Sequence, residues 1–311
     1  MIGWLSYPIF FATVASILAI AVLGLNLQWG ITGLFNGGVA AFFGAGAYGL
    51  LILGGTPQPD HMGGFEWFYP VALLGGVLFS GLLAWIVGLL TLKLRHDYLA
   101  IATFGVAVAF ENFVRNAEWF SGGAKGMRGF ERPLESWIAD PFWFNLAFFG
   151  VVLMALMGVY ALLERLLRSP FGRLLRAIRE DEHAAQSLGK TPSRVRLTAF
   201  VTGSMIMGLA GGLYATFYAF VSPQDVVPTL TFQVWAMLIV GGAGNNRGGV
   251  LGAFLIWAAW TASGWGLSRF APVELQLYTG TLQYILIGLI IVGMLLWRPQ
   301  GLLPEKLILS Q

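Results

Sequence analysis

Charged residues are gathered into short clusters, and long apolar windows run between them. The first charge is Asp60, so residues 1–59 have room for two membrane crossings, at about 20 apolar residues each. The uncharged windows 67–92, 141–163, 197–224, 226–246, 248–268 and 275–297 have room for one crossing each. A shorter window, 98–110, continues through Glu111 to Val114 and adds another. The pattern predicts an all-α polytopic membrane protein of about nine transmembrane helices, within roughly 8 to 10. Two windows are unusual. In 226–246 the strongly apolar core is only Leu230–Val240, which suits a re-entrant segment. The stretch 27–54 is Gly-rich and suits a broken helix, since irregular backbone is tolerated at membrane depth where protein or a cavity surrounds it.

Composition narrows the class. Charged residues make up 11% of the chain, against about 25% in soluble domains. Hydrophobic residues make up 57%, and the mean hydropathy is +0.73, which excludes a soluble globular enzyme. Cysteine is absent, which excludes disulfides, thiolate metal sites and Cys nucleophiles. Met1–Pro8 carries no Lys or Arg, so the expected reading is no secretory leader. The whole of 1–311 is expected to form one polytopic transmembrane domain. Its longest polar insertion, 164–196, is too short for an independent catalytic domain.

The net charge of +3 matters only through its distribution. With nine crossings, one side receives 13 basic residues: Lys93, Arg95, those of 164–196, Arg247, Arg298 and Lys306. The other receives 5: Arg115, Lys125, Arg128, Arg132 and Arg269. The richer side is expected to be cytoplasmic. The C-terminus then lies inside and the N-terminus outside.

Gly33, Gly37, Ala41, Ala45 and Gly49 recur every four residues, and Gly208 and Gly212 repeat the spacing. Small residues on one helical face permit close backbone approach. The plain reading is tight helix packing; the sharper one is a pore-lining or discontinuous helix, to which Asn36 adds a polar side chain. Glu111 is an ionisable residue near the end of a span, where proton or substrate handling is one reading. Arg115, four residues later, gives the other, a helical ion pair.

The histidines, His61, His96 and His183, lie in three separate loops, so a helical metal pair has no support. Ala184–Thr191 fits a relaxed phosphate-loop pattern. A working loop needs a strand before it and a helix after it; here the preceding residues read as helix and Pro192 follows at once. Phe171–Gly189 reads better as an amphipathic cytoplasmic helix. Apolar residues fall at Phe171, Leu174, Leu175, Ile178, Ala185 and Leu188, with Arg173, Arg176 and Arg179 beside them and Gly189 as C-cap. Such a helix lies in the lipid interface or docks in a groove on a cytoplasmic partner.

This loop also carries a resemblance. Ser169-Pro170-Phe171-Gly172-Arg173 through Gly189 resembles the cytoplasmic loop of branched-chain amino acid ABC importer permeases of the LivM type. Gly30–Gly33 onward to Ala41–Tyr48, Leu94–Ala100, Ser121–Gly126 and Arg298–Leu302 resemble further stretches of that family in the same order. The resemblance spans residues 26–302.

It implies a type II importer fold, a LivH-type permease as pairing partner, two cytoplasmic ABC ATPase subunits and a periplasmic solute-binding protein. It places the chain in the lipid bilayer of a bacterial or archaeal cytoplasmic membrane. It implies no nucleic acid partner, no catalysis by this chain and no cofactor bound here, with ATP used by the partner subunits. Under it, Phe171, Arg173, Leu174, Ile178, Arg179, Glu182, Ala184, Ala185 and Gly189 belong to the ATPase-coupling helix. The family's E-A-A-x-x-x-G signature departs here at its first position, where His183 stands and Glu182 precedes it. Asn36, Phe42 and Glu111 are the candidates for the translocation path. The implied cargo is a branched-chain amino acid; related systems carry urea, short amides or other small acids. The alternative is a secondary transporter of a small organic solute, for which titratable groups or a cation site at mid-membrane are expected. A membrane enzyme lacks an acid–base or metal constellation.

Overall fold

The computed structural model describes residues 3–59, 61–94, 96–128, 132, 133, 135, 138, 140–270, 272, 276 and 278–305. Arg95 and Lys306, two of the basic residues counted above, lie outside them. The described chain is almost wholly helical. Helix α1 is Gly3–Leu25 and continues as a π-helical turn, Asn26–Ile31. Then come α2 (Val39–Gly54), α3 (Tyr69–Thr91), α4 (His96–Asn116) and the short α5 (Glu118–Ser121). After these follow α6 (Pro141–Arg168), α7 (Pro170–Glu180), α8 (Glu182–Ser187) and α9 (Pro192–Tyr218). The last three are α10 (Pro228–Gly241), α11 (Asn246–Phe270) and α12 (Thr279–Trp297).

Proline marks many of the starts. Pro70, Pro141, Pro170, Pro192 and Pro228 occupy first-turn positions, where the missing N–H costs nothing. Asp140, Ser169 and Asp181 accept first-turn N–H groups as N-caps.

Seven helices are long and apolar enough to cross a bilayer among the described residues. Two more, α2 and α10, are shorter. At 1.5 Å per residue, α10 rises about 21 Å and α2 about 24 Å, against a hydrocarbon core of about 30 Å. These fall in the two windows whose sequence stood out. Helix α9 starts five residues earlier than the uncharged window allows, because Arg194 and Arg196 extend it into the polar loop.

Burial separates inner from outer helices. Residues 13–28 of the first helix are buried all round, as are Val39–Leu51 of α2. Helix α2 packs against α3 and α9, and α9 against α1. The outer helices bury only one face. On α6 that face is Phe144, Phe148, Val152, Leu156, Val159, Leu163 and Leu167, while Met154, Met157 and Leu162 lie exposed. Large exposed apolar residues recur along α3 and α12, which fits lipid contact.

The small-residue stripe is split by the fold. Gly33 and Gly37 fall in the irregular segment 32–38, so only Ala41, Ala45 and Gly49 ride on α2. The closest α2–α9 approach is made elsewhere. A Cβ on Gly211 would lie 1.8 Å from the Phe43 carbonyl oxygen, and one on Gly46 would lie 2.0 Å from that of Gly208.

The two ends of the bundle differ. At one end Met127–Arg128 (β1) pairs antiparallel with Phe220–Val221 (β2), and the Met62 N–H reaches the Trp119 carbonyl. At the other end meet the π-turn, α7, the α10–α11 turn and residues 298–305. Leu302 and Leu303 donate to Val240 and Gly241, and the Asn245 side chain donates to the Pro304 carbonyl.

Candidate functional site

Two assemblies of polar side chains stand out: one in the interior at segment 32–38, and one beneath it around α7 and α8.

The interior segment leaves helical geometry between two buried helices, so its backbone groups need partners away from water. The π-turn, α4 and α10 supply them, with α9 behind the π-turn. Asn36 donates from its side-chain amide to Gln28 Oε1 at 2.7 Å, and its Oδ1 accepts the Gly38 N–H at 2.7 Å. Gln28, on the π-turn, donates in turn to the Phe200 carbonyl at 2.7 Å and to Ser204 Oγ at 3.0 Å on α9. Thr103 on α4 accepts the Gly37 N–H at 2.8 Å. On α10, Thr231 accepts the Ala40 N–H at 3.1 Å, and the Trp235 indole donates to the Asn36 carbonyl at 2.9 Å. Phe35 stacks on Trp235 with ring centroids 4.1 Å apart and remains 38% exposed. Within the segment it is the large apolar side chain that reaches the surface.

Asn36 is fully buried at the centre of this network. Phe42 is also fully buried, edge-on to Phe200 at 5.5 Å, so in the single chain it packs α2 against α9. Glu111 lies far from both, near the opposite end of α4, and its carboxylate accepts from Arg115. Gln28, Thr103, Thr231 and Trp235 were not singled out by the sequence. The available signal was their polarity inside uncharged windows.

The lower assembly is built on the loop 164–196. The expected single helix over Phe171–Gly189 is two helices. The chain turns at Asp181, whose φ of −151° and ψ of 107° break α7, and whose carboxylate caps α8 by accepting the Ala184 N–H at 3.0 Å. Gly189, at φ +74°, closes α8 with a left-handed turn in which the Lys190 N–H reaches the Ala185 carbonyl. Leu188 is 78% exposed at this tip.

The apolar stripe faces inward. Leu175, Ile178 and Ala185 are buried, Ile178 to 2% exposure, with Phe171 packed against the same core and Leu174 half-buried. Ala184 and Arg173 face out.

Two of the three arginines beside the stripe are held. Arg179 donates to the Gly30 carbonyl of the π-turn, forms a 2.9 Å ion pair with Glu305 and touches Glu180 at 3.1 Å. Arg176 lies 3.4 Å from Glu305. Its aliphatic stem makes Arg179 the nearest neighbour of Gly33, where a Cβ would meet its Cγ at 3.1 Å. Glu182 pairs with Arg196 at 2.7 Å, tying α8 to the start of α9. Nearby, Asn26 bridges to the α10–α11 turn: it donates to Asn246 at 2.9 Å and accepts the Gly244 N–H at 2.8 Å. Asn246 donates onward to Glu164 at 3.1 Å.

Chemistry on substrate finds little purchase here. Among the described residues no group of three His, Asp or Glu stands close enough to hold a metal. The Ala184–Thr191 stretch is the end of a helix followed by a turn, without a strand leading into it. What the arrangement does provide is a rigid link: α7 and α8 at the surface, Arg179 in the middle, and the irregular segment above.

A family model described as "Branched-chain amino acid transport system / permease component" matches residues 7–295. The high-affinity branched-chain amino acid transport system permease protein LivM of Salmonella typhimurium is 31% identical over 94% of this chain and 69% of its own length. A probable LivM of Methanocaldococcus jannaschii is 27% identical over 94% of this chain and 91% of its own. A probable LivH of the same archaeon is 31% identical over 34% of this chain and 32% of its own length. No solved structure matches the chain significantly.

Proposed function

The chain belongs to the branched-chain amino acid transport permease family, and from that membership we propose a complete import assembly around it. It is a multi-pass membrane transport permease and not an enzyme. It serves an ATP-driven importer of branched-chain amino acids or a related small solute. In the proposed assembly it pairs with a LivH-type permease and rests on two cytoplasmic ATPases. It receives cargo from a periplasmic binding protein, in the cytoplasmic membrane of a bacterium or archaeon. The low-level match to an archaeal LivH supports a permease partner of related build.

The observation that carries the reading is the Arg179 link. A loop helix that merely lay on lipid would not need its arginine held between the Gly30 carbonyl of the π-turn and the Glu305 side-chain carboxylate. As a transmission element the contact has a purpose: displacement of α7 and α8 by a nucleotide-driven partner moves the π-turn and segment 32–38. We read that segment, with Asn36 in its network and Phe42 behind it, as one wall of the translocation path, and Phe35 as its exposed contact. The nine-crossing topology follows if irregular backbone completes the two short helices α2 and α10. Glu111 is assigned to its ion pair with Arg115.

The docking face is the outer side of α7 and α8, with Leu188, Ala184 and Arg173, while Ile178 anchors the helix from within. The test is ATP-dependent uptake of labelled leucine by vesicles holding the chain with its co-expressed ATPases and permease partner and supplied with the co-encoded binding protein. Arg179→Ala is expected to lower uptake at least about tenfold while ATPase copurification persists, because the link and not the docking face is cut. Uptake that persists without any ATPase would overturn the reading in favour of a secondary transporter.

A further inference from the structure

A polar pocket of about 230 Å³ lies at the basic end of the bundle, lined by Glu164, Arg168, Arg176, Asn245 and Arg247. Directly beyond it, an apolar groove of about 710 Å³ runs along the outer surface between α6 and α11. Leu156, Met157 and Tyr160 line one side of the groove, and Leu251, Phe254 and Leu255 the other. Arg247 belongs to both cavities.

Charge and shape are matched along this face. Glu164 is already engaged by Asn246 at 3.1 Å and Arg168 at 3.7 Å. Arg176 is shared with Glu305. Arg247 has no carboxylate partner within ion-pair distance among the described residues; its Nε donates to the neutral Tyr160 hydroxyl at 3.3 Å. Three guanidinium groups thus surround one carboxylate, leaving the pocket electropositive. From Arg247 to Leu255 the groove descends about 12 Å along α11, most of the roughly 15 Å hydrocarbon depth of one leaflet. A ligand that fills both cavities carries an anionic head and a long apolar chain.

We propose that this face is a binding site for an anionic phospholipid, with its phosphate held by Arg247 and Arg168 and one acyl chain seated between α6 and α11. Basic pockets between membrane helices at the cytoplasmic surface recognise anionic headgroups in this manner. The site borders the link described above: Asn246 and the α10–α11 turn hold Asn26, on the same π-turn that Arg179 grips. A lipid seated there braces the lower assembly from the membrane side.

The test is native mass spectrometry of the full chain in detergent, titrated with phosphatidylglycerol or with phosphatidylcholine of the same acyl chains. Wild type is expected to retain one phosphatidylglycerol at least about tenfold more tightly than phosphatidylcholine. Arg168→Gln with Arg247→Gln is expected to abolish that preference while leaving phosphatidylcholine retention within about twofold. Leu251→Trp keeps the charges and fills the groove, so retention of both lipids falls. Soluble glycerophosphoglycerol, a head without chains, is expected not to compete. Unchanged melting temperatures in lipid-free detergent establish that both variants are folded. Equal retention of the two lipids by wild type, or an undiminished preference in the double glutamine variant, would overturn the proposal. So would competition by the free headgroup. Undiminished retention of both lipids by Leu251→Trp would likewise overturn the seating of an acyl chain in the groove. None of these outcomes bears on import, so the site and the transport reading fail separately.

Discussion

At the scale of single residues, buried polar side chains decide more than charges do. Asn36 is held by both ends of its amide and by its carbonyl, and each partner comes from a different part of the chain. Asn36→Leu leaves the Gly38 N–H and the Gln28 side-chain Oε1 without these partners in a buried site. The expected cost is about 1–3 kcal/mol, read as a lower melting temperature in detergent together with loss of uptake. An unchanged melting temperature would show that the network does not hold the segment. Asn36 was legible in the sequence as a polar residue in a Gly-rich span. Its partners Gln28 and Trp235 were not, because they lie 8 and 199 positions away in sequence and only packing brings them together.

At the scale of elements, the loop 164–196 shows how periodicity finds a helix and misses what it faces. The apolar stripe of Phe171–Gly189 is real, but the bundle itself covers it as far as Ala185 and leaves Leu188 exposed. The charged cluster Glu180-Asp181-Glu182 reads as part of one helix, whereas Asp181 starts a second by capping it. The two faces of this element now predict opposite phenotypes. Ile178→Asp buries a charge without a partner, so the chain is expected to lose detergent-stable folding. Leu188→Asp, at an exposed tip, is expected to leave the melting temperature unchanged and to reduce recovery of the ATPases in a pull-down. A well-folded Ile178→Asp protein would sink the inward packing. The α2–α9 contact gives a parallel case. Gly211→Ala forces backbone apart where a Cβ has no room, and overpacking of about 1–3 kcal/mol or more is expected as a lowered melting temperature. Ala substitution at Gly150, which meets nothing within 4 Å, serves as the control and should be neutral.

At the scale of the whole molecule, the connections sort by charge. The π-turn, the loop 164–196, the α10–α11 turn and residues 298–305 converge on one end through Arg179, Glu305, Asn245 and Asn246. The β1–β2 pair, α5 and Met62 meet at the other. The richer count of Lys and Arg belongs to the first end, which is therefore expected to be cytoplasmic. Single cysteines at Ser187 and Ala124, both exposed, are expected to react with an impermeant thiol reagent from opposite sides of the membrane. Labelling of both from one side would reverse or break the topology. The native sequence has no cysteine to confuse the assay.

The sequence by itself determined the class, the helices and the family resemblance. Those depend on local quantities: apolar run length against bilayer thickness, charge clusters between runs, Pro and capping residues at helix starts, and ordered motifs along the chain. The tertiary structure alone decided which face of each helix is buried, where the small residues meet, and that Arg179 and Glu305 close the lower assembly. In a chain this apolar, side-chain polarity no longer distinguishes inside from outside, because lipid and protein interior are equally dry. Helix α2, buried over Val39–Leu51, and α12, exposed on most of its length, are about equally apolar, although half of α2 is Gly and Ala. Their difference comes from the shape of the surfaces packed against them, and shape is a property of the assembled bundle.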